Sequence, residues 1–203
     1  MKFLLFSDLH CSSTAAARLV SEARHVDVAI GAGDFAITRS GIEKTIDVLK
    51  GLPCPAVLVP GNGESHAELA AACDGWPAGH VLHGSGAVVA GVSFYGLGGG
   101  VPTTPFGSWS WDFTEAEAEG LLANCPDRCV LISHSPPHGA VDVSAAGKPL
   151  GSVALRATVE RTRPALVVCG HIHDCAGQTA MIGATPVVNA GPHGMVWELE
   201  RHP

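Results

Sequence analysis

The sequence predicts an α/β fold, and three observations carry that reading. Short unbroken apolar runs recur along the chain, amphipathic segments separate them, and nearly every run leads directly into a polar cluster. Unbroken apolar runs of strand length belong to strands covered on both faces, as in parallel sheets layered with helices.

The elements follow in order. Lys2–Phe6, Val26–Ile30, Ala56–Val59, Cys129–Ile132 and Ala165–Cys169 read as buried strands. Ser12–Ala23, Gly41–Leu49, Glu64–Ala72, Thr114–Leu122 and Ser152–Arg161 read as helices, and Thr114-x-x-Glu117 is a capping box that marks one helix start. Val81–Leu82, Ala87–Ala90 and Val92–Gly96 read as short strands joined by tight glycine turns. From Gly177 to Leu199 the chain again reads as strands, with turns at Gly183, Pro186 and Gly191–Gly194. The β-α-β-α order with added hairpins fits one α/β domain spanning residues 1–203. Two Gly/Pro-rich loops, Leu97–Trp111 and Ser135–Gly151, are long enough to carry function.

Composition narrows the function. The formal charge of −7, without a basic run, argues against a partner as long as a nucleic acid strand. A small anionic substrate remains compatible, because bound cations dominate their local field. Seven cysteines without a Cys-x-x-Cys pair read as reduced thiols. Cys125 and Cys129 lack the further ligands of a zinc site. The apolar N-terminal run is too short for a signal peptide, and no stretch is long enough to span a bilayer. A soluble cytoplasmic protein with no membrane partner is expected.

The chemistry is concentrated at the strand ends. The first strand leads to Asp8-Leu9-His10, the second to Gly33-Asp34, and the third to Gly61-Asn62. Later strands lead to His134 and to Gly170-His171-Ile172-His173. Sites in open α/β sheets collect outside the carboxyl ends of strands, so five clusters are expected to meet. Imidazole, carboxylate and amide ligands without thiolate favour manganese, iron or zinc. Asp34 is the expected bridge between two ions, which at about 3.5–4 Å apart bind phosphate and activate water.

These motifs resemble the calcineurin-like metallophosphoesterase superfamily, whose pattern is Asp-x-His, Gly-Asp, Gly-Asn-His-Asp/Glu, a lone His, then Gly-His-x-His. Ser133-His134-Ser135-Pro136-Pro137 and Asn189-Ala190-Gly191-Pro192 further resemble small prokaryotic Icc-related phosphoesterases. The resemblance implies a four-layer α/β/β/α sandwich. It also implies one ion on Asp8, His10, Asp34 and His173, and a second on Asp34, Asn62, His134 and His171. The implied activity is hydrolysis of a small phosphate mono- or diester, nucleotides included, by a hydroxide bridging two divalent ions, with manganese foremost in vitro.

One position departs from the pattern. Gly61-Asn62-Gly63-Glu64 has glycine where the family carries the histidine taken to assist phosphate or protonate the leaving group. Either His66 or His138 supplies a catalytic imidazole from a neighbouring loop, or the enzyme takes esters with acidic leaving groups. Glu64 is read as opening the next helix, with a hydrogen bond to a ligand as its other role. Phe106, Trp109 and Trp111 suit either a flat substrate or packing within the domain or a homo-oligomer. Lys148 and Arg39 read as solvated charges. The rival function is a binding scaffold, as in the retromer subunit that shares this fold. A nuclease of the same superfamily is disfavoured by the acidic balance and short chain.

Overall fold

The computed structural model describes residues 1–199. Its first sheet has the order β11-β1-β2-β3-β4, from β1 (Lys2–Phe6), β2 (Val28–Gly31), β3 (Ala56–Leu58), β4 (Gly79–Val81) and β11 (Met195–Glu198). The second has the order β5-β6-β7-β8-β10-β9, from β5 (Ser85–Val89), β6 (Val92–Leu97), β7 (Val130–Ser133), β8 (Leu166–Cys169), β9 (Thr179–Ile182) and β10 (Thr185–Asn189). Each sheet has a parallel centre. Antiparallel β11 edges the first, and antiparallel β5 and β9 edge the second.

Alternation of side chains explains the layering. Phe3, Leu5, Val28, Ile30 and Val57 point from the first sheet toward Phe94, Val130, Ile132, Val168 and Val188 of the second. The opposite faces of the same strands, Leu4, Phe6, Ala29 and Leu58, pack under α1 (Ser13–Glu22), α2 (Glu43–Leu49) and α3 (His66–Ala72). Tyr95, Leu97, Leu131 and Val167 pack under α4 (Glu115–Leu122) and α5 (Val153–Thr162). Strands apolar on both faces therefore sit between helices and a second sheet, and the result is the four-layer α/β/β/α sandwich.

Several boundaries differ from the sequence reading for local reasons. The strand expected at Val81–Leu82 is Gly79–Val81, because pairing with β3 begins at Gly79. Pro186 lies within β10 rather than in a turn, where it precedes the β8 pairing that starts at Val187 and so removes no ladder bond there. Glu64 does not open a helix. Ser65 is the N-cap of α3, and its hydroxyl and Glu68 form a capping box. The expected box at Thr114 and Glu117 is present on α4.

Candidate metal centre

The strands set the site. The loops after β1, β2 and β3 leave the carboxyl edge of one sheet, and those after β7 and β8 leave the same edge of the other. Cross-links hold these loops together: Asp8 N–H donates to Gly33 O at 2.9 Å, His10 N–H to Asp34 O at 3.0 Å, and Gly170 N–H to His134 O at 3.0 Å. The two sheets are tied by Gly99 N–H donating to Pro60 O at 3.0 Å. Close approach demands glycine here. A Cβ on Gly61 would overlap Asp34 Oδ1, and one on Gly170 would meet Asp8 Oδ2 at 2.5 Å.

Strain also concentrates in these loops. Asp8, His10, Asp34 and His171 have φ of +56°, +43°, +57° and +67°. Left-handed conformations in non-glycine residues cost about 1–3 kcal/mol each and cluster where function requires them.

All seven residues expected as metal ligands come together. His10 Nε2 faces His173 Nε2 at 3.1 Å and Asp34 Oδ2 at 3.8 Å, and His173 Nε2 lies 3.6 Å from Asp8 Oδ1. On the other side of Asp34, Oδ1 lies 3.5 Å from His134 Nε2. That nitrogen also faces Asn62 Oδ1 and His171 Nδ1, each at 3.1 Å. Asp8, His10 and His173 form one group whose ligand atoms lie within 4.8 Å of one another, and Asp8, Asp34 and His134 form another.

Neighbouring hydrogen bonds fix which atoms point inward. His134 Nδ1 must carry a proton, since it donates to Ala32 O at 2.8 Å, so neutral His134 presents a bare Nε2. His10 Nδ1 is likewise 3.4 Å from Ala36 O. Ser110 Oγ gives its proton to Asp112 Oδ1 at 2.7 Å, and therefore accepts from Asn62 Nδ2 at 2.8 Å. The Asn62 amide is thereby oriented with Oδ1 toward His134. Asn189 Nδ2 holds the Gly170–His173 loop by donating to Gly170 O at 3.1 Å and Ile172 O at 3.0 Å.

The donor set fits divalent cations. Electron-rich imidazole, carboxylate and amide atoms face one another, buried around His134 and open to solvent at His10 and His173, an arrangement that a shared cation satisfies. Electrostatics agree. Burial pushes Asp8 up, yet hydrogen bonding from His173, the His134 charge and the Ser7 hydroxyl hold it at about 2. Burial lowers His134, but Asp34 and Asp8 outweigh it and raise it overall. Burial, with His134 beside it, holds His171 near 4. The site favours positive charge at its centre and a neutral imidazole at His171.

Glu64, expected to open a helix or else to bond a ligand, instead braces the ligand loops through their backbone. It is fully buried, and its carboxylate accepts N–H bonds from Phe35 at 3.2 Å, Ala36 at 2.9 Å and Gly61 at 2.7 Å. It ties the Asp34 loop to the Asn62 loop. Burial and the adjacent Asp34 charge push it up to about 7, against the pull of these amides. Cations beside Asp34 would cancel that repulsion and keep Glu64 ionised.

His66 and His138 are not brought to the cluster. His66 starts α3, and its ring centroid is 6.0 Å from His83, which packs in turn against Trp111 and Phe113. His138 is exposed, and its carbonyl accepts from Arg156. Neither lines the clefts over the cluster. At Gly63, a Cβ would lie 3.1 Å from Asp34 Oδ1 and 3.3 Å from Ala36 O, so the chain is packed closely there. Arg39 is engaged by Glu68 at 2.8 Å, and Lys148 is exposed. Cys125 and Cys129 are buried thiols 3.8 Å apart.

A family model described as a calcineurin-like phosphoesterase superfamily domain matches residues 1–202. The chain belongs to that superfamily. Among solved structures, this calcineurin-like phosphoesterase is similar to TT1561 of Thermus thermophilus, with TM-score 0.76, 17% identity, and coverage of 98% of this chain and 99% of that one. It is also similar to a phosphopantetheinyl hydrolase from Mycobacterium tuberculosis, with TM-score 0.58, 16% identity, and coverage of 94% and 88%. A third similar structure is GAP50, the anchor in the inner membrane complex of Plasmodium, with TM-score 0.58, 11% identity, and coverage of 94% and 71%. No curated protein matches the chain. These likenesses show the fold, which hosts both a hydrolase and an anchor, so the functional argument rests on the site. No helix among the described residues is long and apolar enough to cross a membrane.

Proposed function

We propose that the chain hydrolyses phosphate esters at a centre of two divalent cations. The single observation behind this reading is the placement of Asp34. One of its oxygens faces His10 and the other faces His134, so one carboxylate has nitrogen donors on both sides. Asp8, His10 and His173 with Asp34 would hold one cation, and Asn62, His134 and His171 with Asp34 the other. When bound, such a pair supplies Lewis acidity to a phosphoryl oxygen and lowers the pKa of water. The chain supplies position. Ser110 and Asp112 orient Asn62, Ala32 sets the His134 tautomer, and Glu64 fixes the loops that carry Asp34 and Asn62.

Neither His66 nor His138 lines the clefts over the cluster, which counts against either one standing in for the family histidine at Gly63. The reading that follows is a preference for esters whose leaving group departs without a proton. Manganese is the proposed metal in vitro, and a cytoplasmic setting the proposed location.

The test is metal content and turnover measured together. The manganese-loaded chain is expected to hydrolyse 4-nitrophenyl phosphate esters far faster than the corresponding phenyl or alkyl esters. Asp34→Asn and His134→Ala are expected to lose at least one equivalent of metal and to reduce turnover by about 10³-fold or more. A chain that binds metal yet turns over no ester, while capturing a protein partner tightly, would instead be a scaffold.

A further inference from the structure

The two long loops flank the centre and bring apolar side chains to it. A cleft of ≈ 390 Å³ has His10, Asp34 and Asn62 at its base, with Phe106 and Trp109 from the first loop and Leu150 from the second. Phe106 and Trp109 are stacked on each other, with ring centroids 5.6 Å apart and planes 10° apart. They are not core residues: Phe106 is 50% exposed and Leu150 42%. The third aromatic of this loop behaves differently. Trp111 turns inward and packs on His83 and Phe113, with centroids 4.7 and 4.8 Å away.

The stacked pair is held in place from below. Trp111 N–H donates to Asn62 O at 3.0 Å, and Asn62 Nδ2 donates to Ser110. Thr104 and Ser110 both bond the Asp112 carboxylate, closing the loop at its base. The same segment that orients a proposed metal ligand therefore presents the aromatic pair. Charge narrows the occupant further. Among the described residues the cleft lining includes Asp174 and no lysine or arginine, so phosphates beyond the one at the cations would meet an acidic group in the lining.

We propose that Trp109 and Phe106, with Leu150, recognise the flat uncharged arm of a phosphoester that carries a single phosphate group. The inference rests on the hydrolase reading above. It selects an aromatic ester over both small alkyl esters and nucleoside polyphosphates. An acidic aryl leaving group also suits a site with glycine at residue 63. Base–aromatic stacking is worth enough to register as about a tenfold change in affinity.

The experiment is calorimetric titration of the manganese-loaded full chain with phenylphosphonate and methylphosphonate, which share the anchoring group and are not hydrolysed. Phenylphosphonate is expected to bind about tenfold more tightly. Trp109→Ala and Phe106→Ala should cut that preference to about twofold or less, and Trp109→Phe should retain most of it. Equal affinities in the native chain, or a preference that both alanine variants keep, would overturn the aromatic wall and leave the metal site standing. Binding of neither phosphonate would overturn the hydrolase reading itself. ADP binding more tightly than phenylphosphonate would refute the single-phosphate limit. A change of oligomeric state in Trp109→Ala, followed by light scattering, would assign the pair to a contact between copies and refute the proposal.

Discussion

Three backbone N–H groups converge on Glu64, from Phe35, Ala36 and Gly61. Glu64→Gln keeps the volume but turns an amide donor toward them. Leaving a buried N–H without an acceptor costs about 1–3 kcal/mol, and groups that orient metal ligands are worth about 10–100-fold in metal affinity. The variant is expected to unfold at lower urea and to need more manganese for half-saturation. Unchanged values of both would show that the three bonds add nothing. His83 gives the residue-scale pH prediction. It lies against Trp111, Phe113 and His66, and its Nδ1 accepts the Gly98 N–H at 3.2 Å. Burial, with the nearby His66 charge, lowers it to about 4 from an ordinary 6.5. The unfolded chain therefore binds this proton first as pH falls. Stability from neutral His83 is present above pH 6.5 and is lost as pH falls toward about 4. The stability difference between the native chain and His83→Gln should shrink over that window in urea unfolding, and a constant difference would rule it out. Neither residue was legible in this role from sequence. Glu64 stands where a helix-opening carboxylate is ordinary, and only the tertiary approach of the Asp34 loop makes it an acceptor for amides 29 and 28 positions away.

Helices α4 and α5 join at an arrangement that pattern reasoning does not reach. Glu115 sits in the first turn of α4 and accepts from Val153 N–H at 3.0 Å, Ala154 N–H at 2.9 Å and Ser152 Oγ at 2.7 Å. One carboxylate thus satisfies the open N-terminus of the neighbouring helix and complements its dipole. Loss of a cap costs about 0.5–2 kcal/mol, and here three bonds go together, so Glu115→Ala should sit near about 2 kcal/mol. Chemical unfolding checks this, and a loss below measurement error would reject the shared cap. The capping box at Thr114 and Glu117 was readable because its partners lie three residues apart. Glu115 was not, because its partners lie 37 to 39 residues away. The five buried apolar strands were readable for a related reason: helices and a second sheet cover both faces, which leaves no polar alternation to confuse with a helix. The short edge strands shifted by a residue or two because their limits depend on register with a neighbour, as β4 does on β3.

At the scale of the whole molecule, the centre joins two sheets that otherwise meet through apolar packing and a few loop hydrogen bonds, such as Gly99 N–H to Pro60 O. Asp8, Asp34 and Asn62 follow strands of the first sheet, and His134 and His171 follow strands of the second. The convergence was legible as a rule about strand ends, while the pairing of the sheets came from the family resemblance, since no spacing in the sequence says which strands share a sheet. The energetic consequence is that cations should act as a clamp between layers. Imidazole nitrogens face one another at 3.1 Å on both sides of Asp34, and four residues around the centre carry positive φ, so cations shared between these donors should stabilise this edge. A ligand present at about 100 times its Kd adds about 2.7 kcal/mol to a folded state that alone binds it. For a chain of this size each kcal/mol moves Tm by about 2–4 °C, so manganese should raise Tm by about 5–10 °C and a chelator should reverse it. Asp34→Asn on one sheet and His171→Ala on the other should each lose most of that increment. Glu115→Ala, whose side chain bonds Ser152, Val153 and Ala154 and no proposed ligand, should start lower and keep the increment in full. Equal manganese shifts in the native chain and in both ligand variants would mean that the metal binds elsewhere, and that the two sheets are held together without it.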